Sequence, residues 1–373
     1  MTVDGRCLGG FLSGSLWVRL EPLFSLIHQV KISEAGSFMT SIHHPKNILV
    51  VGGCGYIGSH MVKHLMAMGH RVVVADNLST GYRDAVPEGV LVELDIADEV
   101  ALDRLFAREG IDAVLHFASF IQVGESVTAP AKYYENNVSA TLILLKAMVR
   151  AGILRFIFSS TAAVYGTPVR VPIDEDHPKA PINPYGHSKW MVEQMLRDFD
   201  RAYDLHSVSL RYFNAAGADP EGDLGERHEP ETHLIPLILQ AASGRRPSIT
   251  VYGEDYETPD GTCIRDYIHV KDLVKAHVCA LDYLLAGRPT AAFNLGNGNG
   301  FSVREVIKAA EEVCGHAIPV VYGDRREGDP ARLVADSGQA QEILGWKPEL
   351  GDLHAIVADA WRWEQQWPWG QRP

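Results

Sequence analysis

The sequence predicts an α/β fold, with a doubly wound parallel sheet over residues 46–215 and a smaller α/β domain in most of residues 216–373. Two observations predict it. Short apolar runs alternate with longer helical segments, and a glycine-rich turn joins the first run to the first helix. That first run, Ile48-Leu49-Val50-Val51, is apolar throughout, as a strand covered on both faces must be. A helix is expected from Tyr56 to Met68, closed by Gly69, and then a second strand at Val72-Val73-Val74-Ala75. Leu91-Val92-Glu93-Leu94, Ala113-Val114-Leu115-His116-Phe117 and Phe156-Ile157-Phe158 read as the next strands, with helices near Ala101–Glu109 and Ala131–Ala151. Pro184 suits the first position of a helix, which is expected to run on from Tyr185 to Tyr203. Beyond Gly217, turns such as Asp219-Pro220-Glu221-Gly222 and Thr258-Pro259-Asp260-Gly261 interleave with helices, which marks the second domain.

Gly52, Gly55 and Gly58 make a Gly-x-x-Gly-x-x-Gly turn between the first strand and the first helix, the unit of Rossmann-type dinucleotide binding. Glycine permits a tight turn and close backbone approach, and helix-start amides attract an anion. Gly52, Gly55, Tyr56, Ile57 and Gly58 are therefore candidates for holding a pyrophosphate. Asp76 closes the second strand, where a carboxylate accepts hydrogen bonds from an adenosine ribose and repels a 2′-phosphate, so NAD is favoured over NADP. Further on, Ser159-Ser160-Thr161 follows a strand end, and Tyr185-Gly186-His187-Ser188-Lys189 sets a tyrosine and a lysine one helical turn apart on one face. A free phenol ionises at about pH 10. A nearby ammonium and a cationic nicotinamide ring both favour phenolate, so Tyr185 is expected to titrate lower and act as a base. Thr161 adds a hydrogen bond to the reacting oxygen, which makes Tyr185, Lys189 and Thr161 the candidate catalytic residues.

Composition excludes several kinds of partner. Lys plus Arg total 34 against 47 Asp plus Glu, a formal charge of -13, which argues against nucleic acid and anionic membrane surfaces. No stretch is long and apolar enough to span a bilayer. The 5 cysteines, Cys7, Cys54, Cys263, Cys279 and Cys314, are scattered and odd in number, which suits a reducing cytoplasm and no disulfide framework. The 16 histidines show no ligand spacing, and no metal is expected.

From Lys46 to the C-terminus the chain resembles the extended short-chain dehydrogenase/reductase superfamily, and most closely its UDP-glucose 4-epimerases. Besides the glycine turn and the Tyr-Lys pair, the resemblance rests on Gly124-Glu125-Ser126-Val127, Tyr133-Tyr134-Glu135-Asn136-Asn137-Val138, Arg211-Tyr212-Phe213-Asn214, Arg265-Asp266-Tyr267-Ile268-His269-Val270 and Arg325-Arg326-Glu327-Gly328-Asp329. It implies that Asn77, Asp95 and Ile96 join Asp76 on the adenosine side of NAD, that Phe117 and Ala118 line the cofactor, and that Asn137 lies near its ribose or the active site. It further implies that Asn214 and Arg265 meet a nucleotide diphosphate, that Arg326 and Asp329 close on phosphate and uridine ribose, and that Tyr252 packs on uracil. His233, Leu234 and Leu333 complete the implied UDP-sugar site, alongside Thr161 and Tyr185. Plainer roles are open for some of these: Asp266 and Asp329 suit caps, Asn214 a satisfied loop amide, Tyr252 a half-buried strand aromatic. The resemblance also implies that Ala292-Phe293-Asn294-Leu295 returns to the first sheet, and that the chain is a homodimer joined through the Ala131–Ala151 and Tyr185–Tyr203 helices.

The implied reaction is 4-epimerisation of UDP-galactose and UDP-glucose, in which Tyr185 takes the 4-hydroxyl proton, hydride passes to NAD and back, and a 4-keto sugar turns over in between. Related 4,6-dehydratases usually carry Asp-Glu after the threonine; Ala162 and Ala163 stand here, and neither moves a proton. UDP-N-acetylhexosamines, UDP-pentoses or UDP-uronic acids remain alternative substrates, and an NAD-sensing regulator without catalysis is the alternative from another class. Two positions depart from the family pattern. Ile121 stands where many relatives have lysine, and Leu333 where some have an aromatic and others a small residue, so leucine leaves room for an N-acetyl group. Residues 1–45 read as an extension lacking a signal-peptide pattern, and Met39 is an alternative start before the first strand.

Overall fold

The computed structural model describes residues 45–326, 329–366 and 368. The expected extension, the start at Met39 and Cys7 lie outside the described residues, Pro45 excepted. Seven parallel strands form the main sheet: β1 (Asn47–Val51), β2 (Arg71–Asp76), β3 (Leu91–Glu93), β4 (Ala113–His116), β5 (Arg155–Thr161), β6 (His206–Tyr212) and β7 (Ala291–Leu295). Their spatial order is β7-β6-β5-β4-β1-β2-β3. The order reverses between β1 and β4, and the crevice beyond that switch point is where such sheets bind ligands.

Both faces of the sheet are covered, which is why its strands are apolar without alternation. Ile48, Val50, Val72 and Val74 point to one side, against Met61, Val62 and Leu65 of α1 (Tyr56–Ala67). Leu49, Val51, Val73 and Ala75 point to the other, against α2 (Glu99–Glu109), α3 (Ala140–Arg150) and α4 (Pro184–Tyr203). The continuous helix expected over 131–151 is instead broken. A short helix at Pro130–Tyr133 runs into a π-helical turn at Tyr134–Ser139 before α3 begins. The turn brings Asn137 inward, a local device that hydrophobic periodicity does not reveal.

After β6 the chain forms the second cluster, in which α5 (Leu234–Ala242), α7 (Val303–Cys314) and α8 (Leu353–Glu364) pack around Ile235, Ile238, Val306, Ile356 and Val357. Between α5 and α7, α6 (Val270–Leu285) returns to cover the main sheet, and β7 pairs with β6 as its edge strand. Small ribbons finish this half: Ile249–Tyr252 pairs with Val320–Gly323, and Ile264–Arg265 lies between Phe301–Ser302 and Arg332–Leu333.

Three core histidines are held neutral. Burial drives His60 and His277 down to about 4 and His116 to about 3. In each, one ring nitrogen has a partner and the other has none: His60 Nδ1 meets Tyr56 O at 2.8 Å, His277 Nδ1 meets Leu273 O at 2.8 Å, and His116 Nε2 meets Thr141 Oγ1 at 3.2 Å. Because the folded pKa lies below the unfolded one, their contribution is complete above about pH 6.5 and is lost as pH falls toward 4. Urea denaturation between pH 7 and 4 is expected to show stability falling by more than the about 1.4 kcal/mol per pH unit that one histidine gives. A flat profile across that window contradicts the assignment.

Candidate active site

The glycine turn is shaped by what it touches. Gly52 has φ +77, and a Cβ there would lie 2.5 Å from Ala118 N, so the loop after β4 packs directly on the turn. The amides of Phe117 and Ala118 both donate to Val51 O, at 2.8 and 3.2 Å. Gly55 differs: a Cβ there would meet nothing closer than Gly52 O at 3.5 Å, so the protein itself leaves room at the start of α1. That start has no side-chain cap and no acid in its first turn. Its amides are left for an anion, as a dinucleotide pyrophosphate requires. Asp76 is anchored beside it, accepting from Cys54 N at 2.9 Å and Leu78 N at 2.8 Å, while burial raises its pKa against those two bonds. These residues fit an NAD-type cofactor.

Other candidates on that side have mixed positions. Tyr56 turns its hydroxyl away to donate to Gly217 O at 2.7 Å, so only its backbone faces the turn, while Ile57 packs against the core and Gly58 lies in the first turn of α1. Exposed Asn77 and Asp95 join each other, Nδ2 donating to Oδ2 at 2.9 Å, and Ile96 is buried in the core. Phe117 packs its ring on His277 with centroids 4.8 Å apart.

Asn137 sits beside the helix that carries Tyr185 and Lys189. Its Oδ1 accepts from Phe120 N at 3.0 Å and Asn136 Nδ2 at 2.9 Å, and its Nδ2 donates to Phe120 O at 3.0 Å and Ser188 Oγ at 3.1 Å. All four hydrogen-bonding positions of the amide are thereby used. Asn137 so fixes the loop after β4 to α4, next to Tyr185 and Lys189.

Tyr185, Lys189 and Thr161 converge. Asn183 caps α4 through Oδ1 to Gly186 N at 2.9 Å, and Pro184 takes its first turn, so Tyr185 stands at the helix entrance. Thr161, the last residue of β5, accepts from Ala163 N at 3.1 Å and lies close enough to Tyr185 to oppose the rise of its phenol. Lys189 is 2% exposed; its Nζ donates to Ser159 O at 2.8 Å and lies 6.0 Å from the Tyr185 ring centroid. The expected lowering of the phenol is not what the protein groups produce. Burial raises Tyr185 to about 12 against the opposing Thr161 hydroxyl, and burial alone brings Lys189 down to about 7. The lysine turns to a carbonyl and carries only part of a charge at neutral pH, so it does not by itself make the phenolate.

One turn beyond Lys189, Glu193 anchors this helix. Arg211 on β6 grips it with a fork, Nε to Oε1 at 2.9 Å and Nη2 to Oε2 at 2.6 Å, both side chains 2% exposed. Ser160 Oγ donates to Glu193 at 2.6 Å, and Arg211 Nη1 reaches Tyr165 OH at 2.9 Å. Sequence reading missed this pair, although a Tyr, Lys and Glu at successive helical turns signals a shared buried face.

The expected substrate residues fall into two groups. Leu333 packs with Ala162, Trp190 and Phe213 around Val164, Tyr165 and Ile173. Arg265 ion-pairs with Asp329 and donates to Pro330 O at 2.9 Å, while the Arg326 guanidinium lies 4.0 Å over the exposed Tyr252 ring. Asn214 Nδ2 donates to Asp266 O at 2.8 Å. Asp266 itself is fully buried and caps Asn297 N, Gly298 N and Ala335 N, the plainer of its two roles. His233 and Leu234 begin α5, where His233 joins Glu226, His228 and Glu231. These four donors, unremarkable in sequence spacing, are gathered by one loop.

Residues 48–296 match the NAD dependent epimerase/dehydratase family, and the chain belongs to that family. Among its relatives is the UDP-glucose 4-epimerase of Rhizobium meliloti (strain 1021), 55% identical over 320 residues, covering 86% of this chain and 97% of that protein. The structure is similar to that of the Brucella ovis UDP-glucose 4-epimerase in complex with NAD (TM-score 0.83, 50% identity, 85% and 97% of the two chains). It is also similar to the Bifidobacterium longum UDP-glucose 4-epimerase in complex with NAD+ and UDP (TM-score 0.82, 41% identity, 86% and 99%).

The Arg211–Glu193 pair gives a direct test. Glu193→Gln leaves a buried guanidinium without its counter-charge and is expected to cost about 3–5 kcal/mol of unfolding free energy, read by urea denaturation. The double change Arg211→Met with Glu193→Leu is expected to recover most of it. A cost below about 1 kcal/mol for Glu193→Gln is the contrary result.

Proposed function

We propose that the protein is a UDP-glucose 4-epimerase, interconverting UDP-galactose and UDP-glucose, with Tyr185, Thr161 and Lys189 moving the proton. The observation that carries this reading is the convergence of Thr161, at the carboxyl end of β5, with Tyr185 and buried Lys189, one helical turn apart on α4. Bound NAD supplies a hydride acceptor for C4 of the sugar and a positive charge that favours the phenolate. Gly52, Gly55, Tyr56, Ile57 and Gly58 would hold its pyrophosphate, Asp76 with Asn77, Asp95 and Ile96 its adenosine, and Phe117, Ala118, Tyr185 and Lys189 the nicotinamide side.

Tyr185 takes the proton of the 4-hydroxyl and later returns it, and the Thr161 hydroxyl beside it would steady the reacting oxygen. Lys189, at about 7, changes its proton occupancy at little cost near neutral pH and so balances charge as Tyr185 ionises. Arg265 and Arg326, with Asn214, Asp329, Tyr252, His233 and Leu234, would hold the uridine diphosphate, guanidinium forks being suited to phosphate. Tethered there, a 4-keto sugar can present its other face to Tyr185 without leaving. Leu333 would border the sugar, and Ala162 and Ala163 offer no group for elimination.

We further propose a homodimer built on α3 and α4. Leu142 and Met191 on those helices are 38% and 44% exposed, which supports an apolar partner surface. Among the described residues no helix is long and apolar enough to cross a membrane. The free cysteines Cys54, Cys263, Cys279 and Cys314 support a reducing, cytoplasmic setting.

The test is to incubate purified protein with UDP-galactose, first alone and then with NAD+, and resolve products by anion exchange. UDP-glucose is the expected product; no conversion under either condition overturns the reading. Tyr185→Phe is expected to lower kcat by about 10²–10⁴ with KM little changed. An unaltered kcat in that variant removes Tyr185 from the chemistry.

A further inference from the structure

The loop from Gly217 to His233 holds a cluster of which only His233, at its edge, has a part in the proposed epimerase reaction. Glu226, His228, Glu231 and His233 each present one donor atom, and all four atoms lie within 4.8 Å of one another. His228 Nδ1 is 3.2 Å from Glu226 Oε1 and 3.8 Å from Glu231 Oε1, and His233 Nδ1 is 3.7 Å from Glu231 Oε1 and in contact with Glu226 Oε1. A tetrahedral zinc ion with bonds of about 2.0–2.2 Å needs donors roughly 3.3 Å apart; the three longer separations are on that scale, and the hydrogen-bonded His233–Glu226 pair would have to open to admit the ion. The His228 Nδ1 is buried and, despite its nearness to two carboxylates, forms no hydrogen bond. It is close to them without being aimed at either, as donors are when they face a shared centre.

From this geometry we infer that the chain binds one divalent transition-metal ion, zinc by ligand type and number, through Glu226, His228, Glu231 and His233. Two carboxylates and two neutral imidazoles balance the charge of the ion, and four protein ligands close the shell, so the site is structural and not catalytic. The carboxylates are already fixed. Glu231 Oε1 accepts Thr232 N at 2.6 Å and His233 N at 2.8 Å, and Glu226 is 6% exposed with its backbone carbonyl accepting Trp363 Nε1 at 2.9 Å. The competing occupant is the proton. His228 and His233 both face carboxylates, so a metal enters by displacing the protons those pairs hold.

The ion would pin a strap. Between Glu226 and His228, Arg227 pairs with Asp84 at 3.2 Å and lies 3.5 Å over the Tyr82 ring, both on the segment between β2 and β3. The same loop ends at His233 and Leu234, where α5 begins. Metal binding would therefore fix the connection from the dinucleotide side to the entrance of α5.

The test uses full-length protein with any affinity tag removed, dialysed against chelator and titrated with Zn²⁺ by calorimetry, then with Co²⁺ followed by visible absorption. The expected result is one ion per chain, tetrahedral Co²⁺ bands, and a Tm that rises with zinc. His228→Gln and the milder Glu231→Gln, which keeps an oxygen for the two amides, are each expected to weaken binding by at least roughly 10- to 100-fold, the scale for lost supporting ligands. Circular dichroism of both variants confirms that they fold. Absence of one-to-one binding in the parent chain, or undiminished affinity in two folded variants, overturns the site and leaves a protonated histidine–carboxylate cluster in its place.

Discussion

The fork between Arg211 and Glu193 is the interaction on which the site depends. It joins β6 to α4 inside the protein, where Glu193 also takes the hydroxyl of Ser160, the neighbour of Thr161. The strand end that carries Thr161 and the helix that carries Tyr185 and Lys189 are thereby set against each other at one depth. A buried ion pair is seldom a net gain in stability, because desolvating two charges costs about what their attraction returns. What it does supply here is register. The fork admits one geometry, whereas apolar packing alone allows a helix to slide.

The network continues toward the second half of the chain. Arg211 reaches Tyr165, Tyr165 donates to Asn294 at 2.6 Å on edge strand β7, and Asn294 Nδ2 donates to Ile173 O at 2.9 Å. Ile173 in turn receives Asp336 N at 2.8 Å and donates its own amide to Val334 O at 2.9 Å, beside Leu333. One chain of hydrogen bonds thus links the proton-moving residues to the strand that would border the sugar. Lys189 shows the cost of this burial. Its ammonium has a backbone carbonyl as partner and no carboxylate, and so its proton becomes weakly held near neutral pH.

Much of this was legible in the sequence, and for physical reasons. Parallel strands buried on both faces must be apolar, so β1, β2 and β4 stand out; a turn that brings backbone onto backbone must be glycine, so Gly52 does too. Tyr185 and Lys189 could be paired because helical spacing is fixed by local geometry. What was not legible shares a different cause. For Asn137, nothing local shows that its amide bonds Phe120, Asn136 and Ser188. Tyr185 was expected to titrate low because charge spacing is visible in a sequence and burial is not. The Glu226 to His233 cluster escaped notice because its spacing matches no familiar ligand pattern, and only the folding of the loop brings the four donors together.

A double-mutant cycle in kcat between Ser160→Ala and Tyr185→Phe, with UDP-galactose as substrate, tests most directly whether this buried network acts by positioning Tyr185. Ser160→Ala removes one bond to Glu193 while leaving the Arg211 fork in place. If it works through Tyr185, it should lower kcat by on the order of tenfold in the parent and hardly at all once the phenol is gone, a coupling within the 0.5–3 kcal/mol typical of linked residues, roughly. Equal losses in both backgrounds would show that the network stabilises the fold without setting the catalytic geometry.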